Sequence, residues 1–135
     1  MRTGTLFYAT ILIGSAVANG ALAQENSGEA LYMDSCAVCH GTSAIGDGPM
    51  REFMNVHVPN LRQLSQQNDG VFPMLEVIQV IDGRQGIRPH GTEMPFWGNE
   101  FKAEAIEDSG IYGGEIVARG KILSLALYLE IIQDE

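Results

Sequence analysis

The sequence predicts an all-α fold, and three observations favour it. No stretch of the 135 residues alternates convincingly between apolar and polar positions, as a half-buried strand would. Apolar residues recur instead at steps of three and four around residues 74–81 and 114–133, which is the spacing of a helix face. The segments between them are rich in glycine, which suits short helices and close loops wrapped around a flat ligand.

The first 23 residues resemble a secretory signal peptide. Arg2 precedes an apolar run from Leu6 to Val17, and Ala21-Leu22-Ala23 provides the small residues of a cleavage site. The run is too short for a transmembrane helix, which needs about 20 apolar residues. We therefore expect cleavage after Ala23, export to the periplasm, and no stable membrane insertion of the mature protein.

Removal of residues 1–23 leaves a mature chain of 112 residues, 24–135, which is enough for one small domain. The whole chain has a formal charge of −9, and the loss of Arg2 makes the mature charge −10. Nucleic acid and anionic membrane surfaces are therefore poor partners. Both cysteines lie in one short motif, so the sequence does not suggest a disulfide framework.

That motif is Cys36-Ala37-Val38-Cys39-His40, and its spacing is that of a covalent haem c attachment site. Two thiols three residues apart can both reach the haem vinyl groups, and His40 can then bind the iron as the proximal axial ligand. The alternatives fit less well. A structural zinc site needs about four ligands, and a thioredoxin-like pair would follow a strand in a βαβ pattern.

Helices are expected on both sides of the motif. Asn26 and Ser27 can cap a helix over about 27–38, in which Gly28 suits a close crossing of another helix. A second helix is expected over residues 72–81, with Pro73 in its first turn, Gly83 just past its end and its core face at 74, 77, 78 and 81. The acidic segment 100–109 indicates a short solvated helix or lid. The last helix runs from Gly114 to about Gln133, with a shared apolar face at Ile116, Gly120, Leu123, Leu127 and Ile131, and with Tyr128 beside it.

Two glycine-rich loops are candidates for enclosing the cofactor. In residues 41–49, a carbonyl such as that of Pro49 can accept the second N–H of His40. In residues 83–99, a long loop suggests a functional role. Arg84 and Arg88 in that loop are candidates for haem propionate contacts, although solvated surface charges explain them equally well.

The sixth iron ligand has several candidates. Met94 lies in the long loop next to Pro95 and is the preferred one, because a Met/His haem is the arrangement of electron carriers. His90 is the main rival and His57 the third candidate. The other methionines to compare are Met50 and Met54, which lie soon after Pro49, and Met33, which precedes the motif on its own helix. Met74 lies on an apolar helix face, where packing in the core explains it.

Taken together, these residues resemble those of class I c-type cytochromes of the small bacterial periplasmic kind. The resemblance covers the mature chain. It rests on a few features: Gly28 and Tyr32 before the motif, the Gly46-Asp47-Gly48-Pro49 loop, Met94-Pro95, and Tyr128. It implies the cytochrome c fold, in which the first and last helices cross, here with Gly28 against Tyr128. It also implies that Pro49 supplies the carbonyl for His40 and that Met94 is the distal iron ligand.

The resemblance implies an electron carrier with one covalent haem c and its iron, and not an enzyme. The expected partners are redox proteins that carry a basic docking patch, since the mature chain is acidic. Two other functions stay open at this point. One is a haem enzyme or small-ligand sensor with a displaceable distal ligand, and the other is an electron-transfer subunit of a larger oxidoreductase.

Overall fold

The computed structural model describes residues 18–84 and 94–134, with side chains from residue 27 onward. These residues form four helices: α1 (Ala18–Ser35), α2 (Ala37–His40), α3 (Met74–Asp82) and α4 (Trp97–Ile131). Three 3-10 turns lie between α2 and α3, at Pro49–Phe53, Leu61–Gln63 and Gln66–Asn68. The described ranges contain no strand, which confirms the all-α prediction.

The predicted signal peptide lies mostly outside the described residues, so its cleavage site stays a prediction. The first helix continues further toward the N-terminus than expected, to Ala18, and it ends at Ser35. α2 follows after Cys36, so the predicted helix over 27–38 is two helices. Within the described part of the chain, no helix has the length and apolar character to cross a membrane.

α4 reverses direction at Gly110. This glycine has φ 68° and ψ 177°, which is not a helical conformation. Glycine adopts a positive φ readily because it has no side chain. In an unbroken helix, Glu104 and Lys121 would lie about 26 Å apart along the axis. Lys121 Nζ is instead 2.6 Å from Glu104 Oε2 and 4.8 Å from the ring centroid of Phe101. α4 is therefore a hairpin of a first limb (97–109) and a second limb (111–131), as the predicted short acidic helix before a longer one suggested.

α1 crosses the second limb at Gly28. A β-carbon at Gly28 would lie 2.7 Å from Cβ of Tyr128 and closer still to the carbonyl oxygen of Ser124. Only a residue without a side chain permits this approach of the two helices. The aromatic rings of Tyr32 and Tyr128 pack nearby, with centroids 5.4 Å apart. The predicted contact of Gly28 with Tyr128 is confirmed.

The core lies between α1, α3 and one face of the second limb. On α3, Val77 and Ile81 are buried and Met74 and Ile78 pack against the core, as predicted for this face. On the second limb, the buried side chains belong to a single face: Ala118, Ile122, Leu125, Ala126, Tyr128 and Leu129. The apolar stripe recognised from the sequence is a different face. Its members Ile116, Leu123 and Ile131 are 72%, 43% and 56% exposed.

Candidate cofactor site

The two cysteines and His40 lie on one compact helical turn. The amide of His40 donates to the carbonyl of Cys36 at 2.9 Å, and the amide of Gly41 donates to that of Ala37 at 2.9 Å. Gly41, with φ 81°, ends the turn. Residues three and four positions apart on a helix share a face, so Cys36, Cys39 and His40 point to the same side.

The loop after His40 folds tightly under this turn. The amide of Gly46 donates to the carbonyl of His40 at 2.8 Å, and that of Gly48 donates to the carbonyl of Cys39 at 3.2 Å. A β-carbon at Gly48 would lie 2.6 Å from the carbonyl oxygen of Val38, so this position requires glycine. The loop holds the end of α2, and with it His40, in a fixed position.

Tyr32 fixes the same turn from α1. Its ring is fully buried, and its hydroxyl donates to the carbonyl of Gly41 at 2.6 Å. Burial is the main cause that raises the pKa of this phenol, followed by the negative charge of a Cys36 thiolate. The hydroxyl therefore stays protonated and keeps donating this bond.

A cavity of about 560 Å³ opens beside the motif. Cys36, His40 and Met94 line it together with apolar residues that include Leu61, Val77, Val80, Ile81, Leu125 and Leu129. A smaller cavity of about 150 Å³ shares Cys36, His40 and Met94 with the first, and Cys39 lines it as well. The two cysteines, His40 and Met94 thus line two adjoining cavities.

These residues fit a covalently attached haem. The volume lies within the range of about 300–1,000 Å³ that small-molecule and cofactor sites occupy, and the lining is mainly apolar, as a flat macrocycle requires. The donor set comprises two thiols, an imidazole and a thioether, and the latter two are axial ligands that haem iron accepts. Among the described residues, no group of three or more His, Cys, Asp or Glu side chains is placed to hold a metal ion, so a structural zinc site has no further ligands there.

Neither thiol has the lowered pKa of a catalytic redox pair. Burial, and then the negative charge of Cys39, raise the pKa of Cys36 to about 12. Burial also raises the pKa of Cys39. Catalytic thiol pairs work through a thiolate with a lowered pKa, so the raised pKa values favour haem attachment over a thioredoxin-like pair.

The candidates for the distal ligand occupy different positions. Met94 and His57 line both cavities, and Met54 lines the smaller one. Met74 packs against the core and lines a separate surface pocket with Leu75 and Gln79. Met94 therefore lies where the prediction requires, while its bond to iron stays a prediction. His90 lies outside the described residues.

The structure bears differently on the predicted contacts of Pro49, Arg84 and Arg88. Pro49 begins the 3-10 turn directly after Gly48, next to the motif, and its carbonyl contact with His40 stays a prediction. Arg88 lies outside the described residues.

Arg84 makes contacts that sequence reasoning did not anticipate. Its guanidinium donates to both carboxylate oxygens of Asp82 and, at 2.7 and 3.1 Å, to those of Glu115.

The Arg84 cluster joins the end of α3 to the second limb of α4. Hydrogen bonds from Arg84 are the main cause that lowers the pKa of Asp82. Hydrogen bonds from Arg84 and then Arg119 lower the pKa of Glu115 to about 2. All three guanidinium nitrogens donate to these carboxylates, which favours a structural role for Arg84 over the predicted propionate contact.

The cavity also has polar residues that sequence reasoning missed. Gln67, Asn68 and Glu76 line it along with His57. They come from a 3-10 turn and from α3, and no local motif marks them, because only the packing of these elements brings them to the cavity. The polar group contrasts with the apolar wall formed by α4.

Comparison with known proteins agrees with this description. The family model described as cytochrome c matches residues 26–108, which is more than half of the chain. The matched range includes the motif, the loop after it and Met94, and it ends within the first limb of α4. No curated protein and no solved structure matches the chain.

Proposed function

We infer the function of this protein from its family: the chain belongs to the cytochrome c family, and it therefore binds haem c covalently and transfers electrons. We propose further that it is a mono-haem periplasmic electron carrier in which His40 and Met94 are the axial ligands. The observation that carries the proposal is that Cys36, His40 and Met94 line two adjoining, largely apolar cavities, and that Cys39 joins them at the smaller one.

The residues of the chain have separate tasks in this function. Haem c supplies a reversible one-electron change at its iron. Cys36 and Cys39 attach it through thioethers, and the hydrogen-bonded turn that ends at Gly41 orients His40. The thioether of Met94 favours the ferrous state and raises the potential. The apolar wall from α3 and α4 excludes water, which limits the solvent reorganisation that accompanies a change of charge.

Carbon monoxide distinguishes this proposal from a ligand sensor or a haem enzyme. In the mature holoprotein, a closed six-coordinate site should leave the ferrous absorption spectrum almost unchanged when carbon monoxide is added. The Met94→Ala variant should bind carbon monoxide and have a much lower reduction potential.

Met74→Ala is the matched control, because Met74 packs outside both cavities. It should destabilise the protein and leave the spectrum unchanged. A wild-type protein that binds carbon monoxide readily would contradict the carrier function. If Met94→Ala has a wild-type spectrum, the ligand lies elsewhere, and His57, Met54 and His90 are the next residues to replace.

We also propose that the carrier recognises redox proteins with a basic patch. The mature charge of −10 attracts such partners. Val38 within the motif and Ile45 in the loop after it are apolar and each 47% exposed, which suits a brief and weak contact. The second-order rate of electron transfer to a basic partner should fall as salt is added, since screening shortens the field to about 8 Å at physiological ionic strength. A rate that does not change with salt would contradict this steering.

A further inference from the structure

The second limb of α4 carries an exposed apolar stripe on the side that faces away from the cavity. The stripe consists of Tyr112, Ile116, Gly120, Leu123, Leu127 and Ile131. Tyr112 is 89% exposed, and Ile116, Leu123 and Ile131 are also largely accessible. Leu125 and Leu129, which line the cavity, lie about half a turn around the helix from Ile116 and Leu123. A protein bound to the stripe would therefore leave the cofactor site free.

Gly120 in the middle of this stripe makes no close packing contact with the described part of its own chain. It is exposed, and a β-carbon built on it would meet no atom within 4 Å. A glycine inside a helix costs about 0.5–1 kcal/mol relative to alanine. Gly28 shows what such a glycine does elsewhere in this protein, since it lets α1 and the second limb approach closely. Gly120 offers the same close approach to a helix from outside the chain.

We propose that the stripe is the interface of a symmetric dimer in which two second limbs pack antiparallel. The spacing of its six residues is 4-4-3-4-4, which reads the same in both directions. Antiparallel pairing about the midpoint therefore places Gly120 opposite Leu123, Ile116 opposite Leu127, and Tyr112 opposite Ile131 of the second copy. A two-fold interface requires such a self-complementary surface.

The size of the stripe sets the strength of the dimer. Its exposed apolar area is of the order of 500 Å², comparable to the largest patch on a typical monomeric protein. Two copies would bury about 1,000 Å², which is the lower limit for a specific interface. The dimer is therefore weak and reversible. Because each mature copy carries a charge of −10, dimerisation should become tighter as salt is raised.

Sedimentation equilibrium of the mature holoprotein over micromolar to millimolar concentrations tests the proposal. The wild-type protein should associate reversibly to a dimer. Ile116→Lys and Leu127→Glu should each raise the dissociation constant at least about 100-fold, because every dimer would then bury two unpaired charges. An equal mixture of the two variants should recover the dimer, since the pairing places Lys opposite Glu in one contact and leaves Ile opposite Leu in the other.

Controls separate this interface from others. Leu75→Lys places a charge at a similarly exposed apolar residue of α3, 68% accessible, and should leave the dissociation constant unchanged. The haem absorption spectrum of each variant reports whether it has folded. A wild-type protein that stays monomeric at millimolar concentration overturns the proposal, and so does a dimer that neither stripe variant weakens. A mixture that fails to recover the dimer overturns the antiparallel pairing.

Discussion

The second limb of α4 has two opposite apolar faces, and their environments differ sharply. One face packs against α1 and the cavity, with Gly28 of α1 in contact with the backbone of the limb. The opposite face has the same kind of residues and its own glycine, Gly120, but faces outward. Apolar character alone does not determine burial here. The cavity and the crossing with α1 decide which face is the core, and this difference leads to three predictions.

The largest effect is expected from truncating leucines on the two faces. Leu125 is fully buried and lines the cavity, so Leu125→Ala should lower the free energy of unfolding by about 2–5 kcal/mol. Leu123 is 43% exposed, and Leu123→Ala should change the free energy of unfolding by about 0.5 kcal/mol or less. Denaturant unfolding of the dilute holoprotein measures both. Equal losses for the two variants would show that the two faces are equally packed.

The second prediction compares the two glycines. Gly28→Ala pushes α1 away from the carbonyl of Ser124 and from Tyr128, and should cost about 1–3 kcal/mol. Gly120→Ala has open space and should stabilise the monomer by about 0.5–1 kcal/mol. The same Gly120→Ala change should weaken the dimer. Thermal unfolding at low concentration, with sedimentation at high concentration, measures the two opposite effects. A Gly28→Ala variant as stable as wild type would contradict the close crossing.

The smallest effect is expected in the stability of the protein at acid pH. It tests whether the ion pairs of Arg84 hold α3 against the second limb. The pKa of Glu115 is lowered to about 2 in the folded protein, against an ordinary value of 4.5. The stabilisation from this depressed pKa is therefore fully present above pH 4.5 and is lost as the pH falls toward 2. Glu115→Gln should lower stability at pH 6, and its difference from wild type should disappear near pH 2.

The exposed Glu107 supplies the control for this experiment, and Glu107→Gln should have a smaller effect at both values of pH. Denaturant unfolding at pH 6 and at pH 2–3 measures the comparison. A difference between Glu115→Gln and wild type that stays constant with pH would show that the ion pairs with Arg84 contribute little.

The features that sequence reasoning predicted are those set by local patterns. The motif at Cys36, the helical face of α3 and a helical break before residue 114 all follow from short spacings. The contact of Gly28 with Tyr128 was predicted through the resemblance to a family, since the residues are too far apart for any local pattern. The structure adds that the break is a reversal of the chain at Gly110. The φ of 68° at this residue is one that glycine adopts readily.

Other features could not be predicted because they depend on packing. The periodicity of the last helix reveals a stripe at Ile116, Leu123 and Ile131, but the face that α1 covers is the opposite one. The ion pairs of Arg84 with Glu115 join residues 31 positions apart. No spacing rule relates two such charges, because the reversal of α4 at Gly110 lies between them.

The reversal at Gly110 has a consequence for the order in which the protein folds. It makes the contacts between the two limbs local along the chain, whereas Gly28 and Tyr128 are 100 positions apart. Closing a long loop costs more entropy than closing a short one, and topologies rich in distant contacts fold slowly. We therefore expect the hairpin of α4 to form early and to dock on α1 late, as one prefolded unit. Substitutions at Gly28 should then speed unfolding far more than they slow folding, which stopped-flow kinetics can measure.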